Sequence, residues 1–332
     1  MSNFKHSTPP DLLESTLARI KHLDITDHLS YDKSAHPFSG GSYGDIRIGT
    51  YDHPDRGKLK VAVKCLRVFH TQTPETLKLL KREVQIWSSL DHPNVLPLLG
   101  YILEENDFPT LVSEFMENGT ALRYVSQHPE IDVTGINKQI LGIAEGIDYL
   151  HDKGIIHSDL KSDNILISPE GRPLICDFGI SRVISLSTSF SGYPINGQTT
   201  TGNVKGSARW MSPEILCSPT DQSPAKHTIE SDIWAFGMVA YELLTLQRPY
   251  YELSNDVQVI SAIWYSQLPK KPEDYYTWTW SKKTIWELCN SCWSRNPATR
   301  PGMSTVAWLL KAAREDTIVI INRKASTLEI LC

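Results

Sequence analysis

No run of apolar residues in this 332-residue sequence reaches the ~18 positions that a transmembrane helix needs, so no membrane insertion is expected. Basic charge is not in excess either. Lys and Arg number 33 against 38 Asp and Glu, a net charge of −5, which argues against a nucleic-acid partner or an anionic membrane surface. Cysteine is sparse and scattered, at positions 65, 176, 217, 289, 292 and 332. Cys289-Asn290-Ser291-Cys292 has the spacing of one half of a zinc site, but no second Cys or His pair lies near it. Two ligands do not close a structural tetrahedral site, so buried helical thiols in a reducing, cytoplasmic compartment are expected. Met1 to Lys5 has neither the pattern of a secretory leader nor the glycine that myristoylation requires, and Cys332 stands too late to begin a prenylation box. Internal repeats and long low-complexity linkers are also missing.

What is present is ordinary globular composition, 40% hydrophobic and 21% charged, in a chain long enough for about two domains or lobes. The stretch that organises it is His157-Ser158-Asp159-Leu160-Lys161-Ser162-Asp163-Asn164, followed 13 positions after Asn164 by Asp177-Phe178-Gly179. A polar turn after a helix would account for the first half alone, and an unrelated turn for the second. Their order and spacing together form the signature of phosphoryl transfer from ATP. That reaction needs a carboxylate to accept the proton of the attacking hydroxyl, for which Asp159 is placed. It needs oxygen ligands for a hard cation, Mg²⁺ or Mn²⁺, which Asn164 and Asp177 supply, and positive charge near the transferring group, which Lys161 supplies.

Upstream, Leu12, Leu13, Leu17, Ile20 and Leu23 recur at helical spacing, and a short helix is expected within residues 1–30. Phe38-Ser39-Gly40-Gly41-Ser42-Tyr43-Gly44-Asp45-Ile46 reads as a glycine-rich turn between strands, able to bring backbone N–H groups close to phosphates. Val61-Ala62-Val63-Lys64 reads as a buried strand ending in a lysine, which requires an anionic partner; Glu83, in a helix expected over 75–90, supplies one. Val95 to Gly100 and Leu111 onward read as further strands, and Ile136 to His151 as an amphipathic helix. Residues 180–206, rich in Ser, Thr and Gly, read as a surface loop.

From about Asp32 to Arg314 the chain resembles a eukaryotic protein kinase, and Arg209-Trp210-Met211-Ser212-Pro213-Glu214 with Cys292-Trp293 resembles its tyrosine-kinase-like group, which mostly phosphorylates serine and threonine. The short architecture is similar to fungal members. The resemblance implies an α+β, bilobal fold: an N-terminal extension over 1–30, a β-rich lobe with one main helix over 31–116, a helical lobe over 117–314 and a tail over 315–332. It implies that ATP lies among the glycine turn (Phe38, Ser39, Gly40, Gly41, Ser42, Tyr43, Gly44), Ile46, Ala62, Lys64, Glu83, Ser113, Glu114, Met116, Leu166 and Asp177. Ser113 would be a small gatekeeper, and Ser207 would hydrogen-bond Asp159 and Lys161. Glu214 would pair with Arg300. The sequence departs from the family pattern at Ser39 in place of the first glycine, at Ser158 in place of arginine and at Ser212 in place of alanine. Two functions follow as expectations: an active serine/threonine kinase acting on proteins as a monomer or transient dimer, or a pseudokinase serving as an interaction module. The presence of Lys64, Glu83, Asp159, Asn164 and Asp177 together favours the enzyme.

Overall fold

The computed structural model of the chain describes residues 20–40, 44–66, 84–103, 109–177, 207–216 and 226–313. Most of the expected N-terminal helix, positions 41–43 of the glycine turn, Glu83, the segment 178–206 and the tail fall outside these residues. The chain divides into two compact units, Met1–Met116 with Gly179–Gly197, and Glu117–Phe178 with Gln198–Cys332. The first is dominated by a sheet and the second by helices, the α+β architecture expected.

The sheet of the first unit is antiparallel, with β1 (Leu29–Tyr31), β2 (Ser39–Gly40), β3 (Gly44–His53), β4 (Gly57–Leu66), β5 (Gly100–Leu103) and β6 (Pro109–Glu114). Its order is β1-β3-β4-β6-β5, with β2 also on β3. Alternate residues of the strands, Val61, Val63, Val112 and Ile102, are buried with Ile25 and Tyr51 in one core. The strand expected over 95–100 begins only at Gly100. Pro97 has no N–H to donate and the Leu96 carbonyl is occupied by the Trp87 indole at 2.7 Å, which keeps a regular ladder from these two residues, although the Leu99 N–H already donates to the Val112 carbonyl of β6 at 2.9 Å. Residues 20–28 form two 3₁₀ turns, Lys21–Leu23 and Thr26–His28, where a helix was expected. They lie along the edge of β5: Ile25 N–H donates to the Tyr101 carbonyl at 3.1 Å, and a Cβ on Gly100 would stand 2.5 Å from the Leu23 carbonyl. That close approach requires glycine.

The helices of the second unit are α1 (Ala121–Gln127), α2 (Val133–Asp152), α3 (Pro213–Leu216), α4 (Ile229–Thr245), α5 (Asp256–Trp264) and α6 (Trp280–Cys292), followed by helical residues 303–313. A two-stranded sheet, β7 (Ile165–Ile167) with β8 (Pro173–Ile175), lies between α2 and α3 in the chain. Helix α4 is buried on every side from Ser231 to Leu244, as an apolar helix at the centre of a unit must be, and packs on α2 and α6. At Gly237 an added Cβ would come within 2.7 Å of Trp293 Nε1, so α4 and the end of α6 touch backbone to side chain. Cys289 and Cys292 are buried thiols of α6, as expected; burial pushes both up, Cys292 to about 12.

Candidate active site

The loop after α2 takes its backbone from a residue of α4. Asp232 accepts the N–H of His157 at 2.7 Å on Oδ2 and that of Ser158 at 2.9 Å on Oδ1, and His151 Nε2 reaches Oδ2 at 3.0 Å. Ser158 has a left-handed φ of 67°, which turns two successive N–H groups toward one carboxylate, an anion-binding nest. His157 Nδ1 accepts the Asp159 N–H at 3.3 Å, so Nε2 carries the proton that it donates to the Cys176 carbonyl at 3.0 Å. The buried imidazole thereby ties the loop to the strand end that precedes Asp177.

Around Asp159 the expected residues converge. Lys161 Nζ donates to Asp159 Oδ2 at 2.9 Å and to Ser207 Oγ at 3.1 Å, so the ammonium bridges the carboxylate and the hydroxyl rather than the two meeting directly. Asn164 Nδ2 donates to the Asp159 carbonyl at 2.7 Å and to Oδ2 at 3.1 Å. A carbonyl can only accept, which fixes the orientation of the Asn164 amide and leaves its oxygen for another partner. Both side-chain bonds to the carboxylate fall on Oδ2, so Oδ1 keeps its acceptor capacity. The β7–β8 ladder pairs Ile165 with Ile175 and is extended by Cys176 N–H to the Asn164 carbonyl at 3.0 Å, which sets Cys176 opposite Asn164 and Asp177 one residue beyond it. Asp177 also has a left-handed φ, 62°. These are hard oxygen donors on adjacent chain segments, a donor set that suits Mg²⁺ shared with phosphates rather than caged by protein.

A residue that the sequence reading missed underlies this loop. Glu242 of α4 is fully buried and accepts from Ser162 Oγ at 2.9 Å and from Trp210 Nε1 at 2.8 Å, joining the catalytic loop to the 3₁₀ turn Ala208–Trp210. It is the lone charge in the run Ile233 to Leu244, and that was the available signal. Burial pushes its carboxyl up to about 7, against the hydrogen bonds from Trp210 and Ser162. The folded value therefore lies above the unfolded one, and the folded state loses stability as pH rises from about 4.5 toward 7 while the unfolded chain ionises first. Glu242→Gln keeps an acceptor for Trp210 and removes the proton exchange. The stability difference between pH 5 and pH 8, measured by urea unfolding, is expected to shrink by about 2–3 kcal/mol in this variant.

Further from the loop, Arg300 forms the expected pair with Glu214 through two bonds of 2.6 and 2.9 Å, and also donates to the carbonyls of Glu230 and Ser294.

In the first unit, Lys64 is buried near the end of β4, opposite Ile46 on β3 and Leu111 on β6. Ala62 pairs with Ile48 and with buried Ser113. The Glu114 carboxylate is engaged by Arg56 at 2.9 and 3.0 Å, so its backbone is what it can offer a base. Phe38 is exposed and meets Phe115 edge-on, ring centroids 5.2 Å apart, and Met116 is buried. Leu166 lies on β7 in the second unit, half-buried.

Comparison with known proteins places the chain in a family. The family described as protein tyrosine and serine/threonine kinase matches residues 33–310, and the chain belongs to that family. Among its relatives are ephrin type-A receptor 5 of Rattus norvegicus, 30% identical over 295 residues, and ephrin type-A receptor 8 of the same species, 31% identical over 277 residues. A third is the Serine/threonine-protein kinase STY17 of Arabidopsis thaliana, 29% identical over 274 residues. These matches cover 87%, 82% and 81% of this chain and 27%, 68% and 42% of the respective relatives. The chain thus spans about a quarter of the length of the first receptor named.

Proposed function

We propose that this protein is an active kinase that transfers the γ-phosphoryl group of ATP to serine and threonine hydroxyls of other proteins. The observation that carries the reading is Lys161, whose ammonium joins Asp159 to Ser207 and supplies positive charge on the side where phosphate charge is transferred. In this mechanism Asp159 Oδ1 accepts the proton of the acceptor hydroxyl, while the bonds on Oδ2 hold the carboxylate in place. Lys64 would neutralise the α- and β-phosphates; Glu83, which lies outside the described residues, is the partner expected to orient it. The Asn164 carbonyl oxygen and the Asp177 carboxylate would hold Mg²⁺ or Mn²⁺. That cation, when bound, supplies Lewis-acid neutralisation of the phosphate charge.

The family description covers tyrosine as well as serine and threonine, while one relative is named a serine/threonine kinase, so acceptor type is the point to test. Purified protein incubated with Mg²⁺ and γ-labelled ATP is expected to phosphorylate itself or a mixed peptide library. Acid hydrolysis of the product should release phosphoserine and phosphothreonine, and Asp159→Asn should lose the labelling. Phosphotyrosine as the main product would replace the serine/threonine reading with the tyrosine one. Labelling equal in Asp159→Asn, or none in the wild type with ATP binding retained, would favour the pseudokinase module.

A further inference from the structure

The long hairpin of β3 and β4 carries different groups at its two ends. Gly44 pairs with Leu66 and Ile46 with Lys64 at the end of the glycine turn, and His53 pairs with Gly57 at the other. Strands of 10 residues rising ~3.3 Å per residue make a ribbon about 30 Å long. Strand β6 holds only part of it. The β6 ladder with β4 runs from Val61 to Lys64, and one further bond, from the Phe115 N–H to the Lys60 carbonyl at 3.0 Å, closes it. Residues 57–59 extend past the end of β6.

Arg56 spans that overhang. Pro54 presets the turn, His53 Nδ1 accepts the N–H groups of Asp55 at 3.1 Å and Arg56 at 3.3 Å, and Gly57 completes it with a left-handed φ of 69°. The turn is shaped by these residues and needs nothing from the arginine side chain. From it the guanidinium reaches Glu114, the last residue of β6, with Nη1 on Oε2 at 2.9 Å and Nη2 on Oε1 at 3.0 Å. A two-bond fork fixes direction as well as distance. The next residue grips the same ribbon elsewhere. Phe115 meets the Phe38 ring edge-on at 5.2 Å, and the Phe38 N–H donates to the Ile46 carbonyl at 2.8 Å, beside the glycine turn. Two consecutive residues after Ser113 thus hold the hairpin near both of its ends.

We infer that Arg56 is a positioning residue for the nucleotide: its fork on Glu114 sets the tilt of the β3–β4 ribbon on β6, and so the distance of Gly44 and Lys64 from the backbone that reads the base. Under the kinase reading above, on which this rests, ATP spans those two places, its base against 114–116 and its phosphates against Lys64 and the glycine turn. A ribbon held only by the Val61–Lys64 ladder and Phe115 can rock about β6. The pin at the far turn removes that freedom before ATP arrives. The two side chains are 49% and 26% exposed, so the effect is graded rather than all-or-none.

The test uses Arg56→Ala, Arg56→Glu, Glu114→Arg and the exchanged double variant Arg56→Glu with Glu114→Arg, on one peptide acceptor found by labelling. Arg56→Ala is expected to raise the KM for ATP about three- to fivefold, with kcat at saturating ATP and the acceptor KM moving less than about twofold. Each single reversal sets two like charges together and should raise the ATP KM about tenfold, and the exchange should return it to within about threefold of the wild type. Recovery in the exchanged protein excludes direct attraction of the phosphates by Arg56, which that protein lacks. An ATP KM unmoved in Arg56→Ala, or an exchanged protein no better than the poorer single variant, would overturn the role. Hydrogen exchange without nucleotide gives a reading that needs no turnover. Faster exchange at the amides of 44–48 and of Phe115 in Arg56→Ala, slowed again in the exchanged protein, supports the pin, and equal exchange in all of them overturns it. A wild type that binds ATP with Mg²⁺ but labels no acceptor would defeat the kinase reading alone, and calorimetric Kd values for ATP then replace KM in the same comparison. A wild type that binds no ATP would defeat the nucleotide role along with that reading, while the exchange data would still decide the pin.

Discussion

Asp177→Asn is expected to lower turnover by about three orders of magnitude or more while leaving the fold intact. The phosphoryl group in flight carries spread negative charge, and the part assigned to Asp177 is to hold the cation that neutralises it. An amide has the shape of the carboxylate but no net charge, and a neutral oxygen is a much weaker ligand for Mg²⁺. The backbone should not object, since asparagine tolerates the left-handed φ of 62° found there as well as aspartate does. The neighbouring anchors, Cys176 N–H on the Asn164 carbonyl and the His157 imidazole on the Cys176 carbonyl, do not involve the side chain that changes. Steady-state rates at saturating Mg²⁺ and ATP, with a thermal melt of the same preparation, provide the check. Near-normal kcat in a folded variant would remove Asp177 from the mechanism.

Replacement of Arg300 by methionine is expected to cost about 3–5 kcal/mol of folding stability, enough to leave the second unit marginal. The arginine side chain is wholly buried, while Glu214 is 28% exposed. The guanidinium is bonded to the Glu214 carboxylate and to two carbonyls, and it lies 5.1 Å from the Trp234 ring centroid. Methionine would refill much of the volume but leave all of these acceptors without their donor. Burial alone would raise the Glu214 carboxyl; hydrogen bonds from Arg300 and its own backbone, with the guanidinium charge, bring it below its ordinary value. The pair therefore contributes stability above the ordinary glutamate range that is lost as acid protonates the carboxylate. Urea unfolding at pH 7 and pH 4 should show the variant destabilised most at pH 7 and the gap narrowing toward pH 4. Equal midpoints at pH 7 would show that the pair contributes nothing net.

How much of this could be read beforehand depended on whether a residue acts through local chemistry or through distant packing. His157 to Asn164 and Asp177 were legible because the spacing of their chemical types is itself the motif. Arg300 with Glu214 was legible only by resemblance, since 86 positions separate them. Strand starts were misjudged where one side chain competes for a backbone group, as Trp87 does for the Leu96 carbonyl. The 3₁₀ turns over 20–28 defeated the periodicity of Ile20 and Leu23, because Ile25 is held by the Tyr101 carbonyl of β5 rather than by its own helix. Glu242 was missed for a related reason: it is a charged residue whose partners are neutral donors, and no pattern of opposite charges announces such a site.

The dependence of the catalytic loop on Asp232 also sets when the site comes into being. The carboxylate that receives the His157 N–H lies 75 positions further along the chain, and the one that receives the Ser162 hydroxyl lies 80 further. Synthesis at about 5–20 residues per second leaves the loop without its acceptor for roughly 4–15 s. During that interval the whole catalytic motif has been made, yet the Asp232 carboxylate that receives the Ser158 N–H is still missing. A nascent chain halted before α4 would carry every residue of His157 to Asn164 and no site. Competence for phosphate transfer therefore arrives in one step, when α4 closes beneath a loop translated long before it.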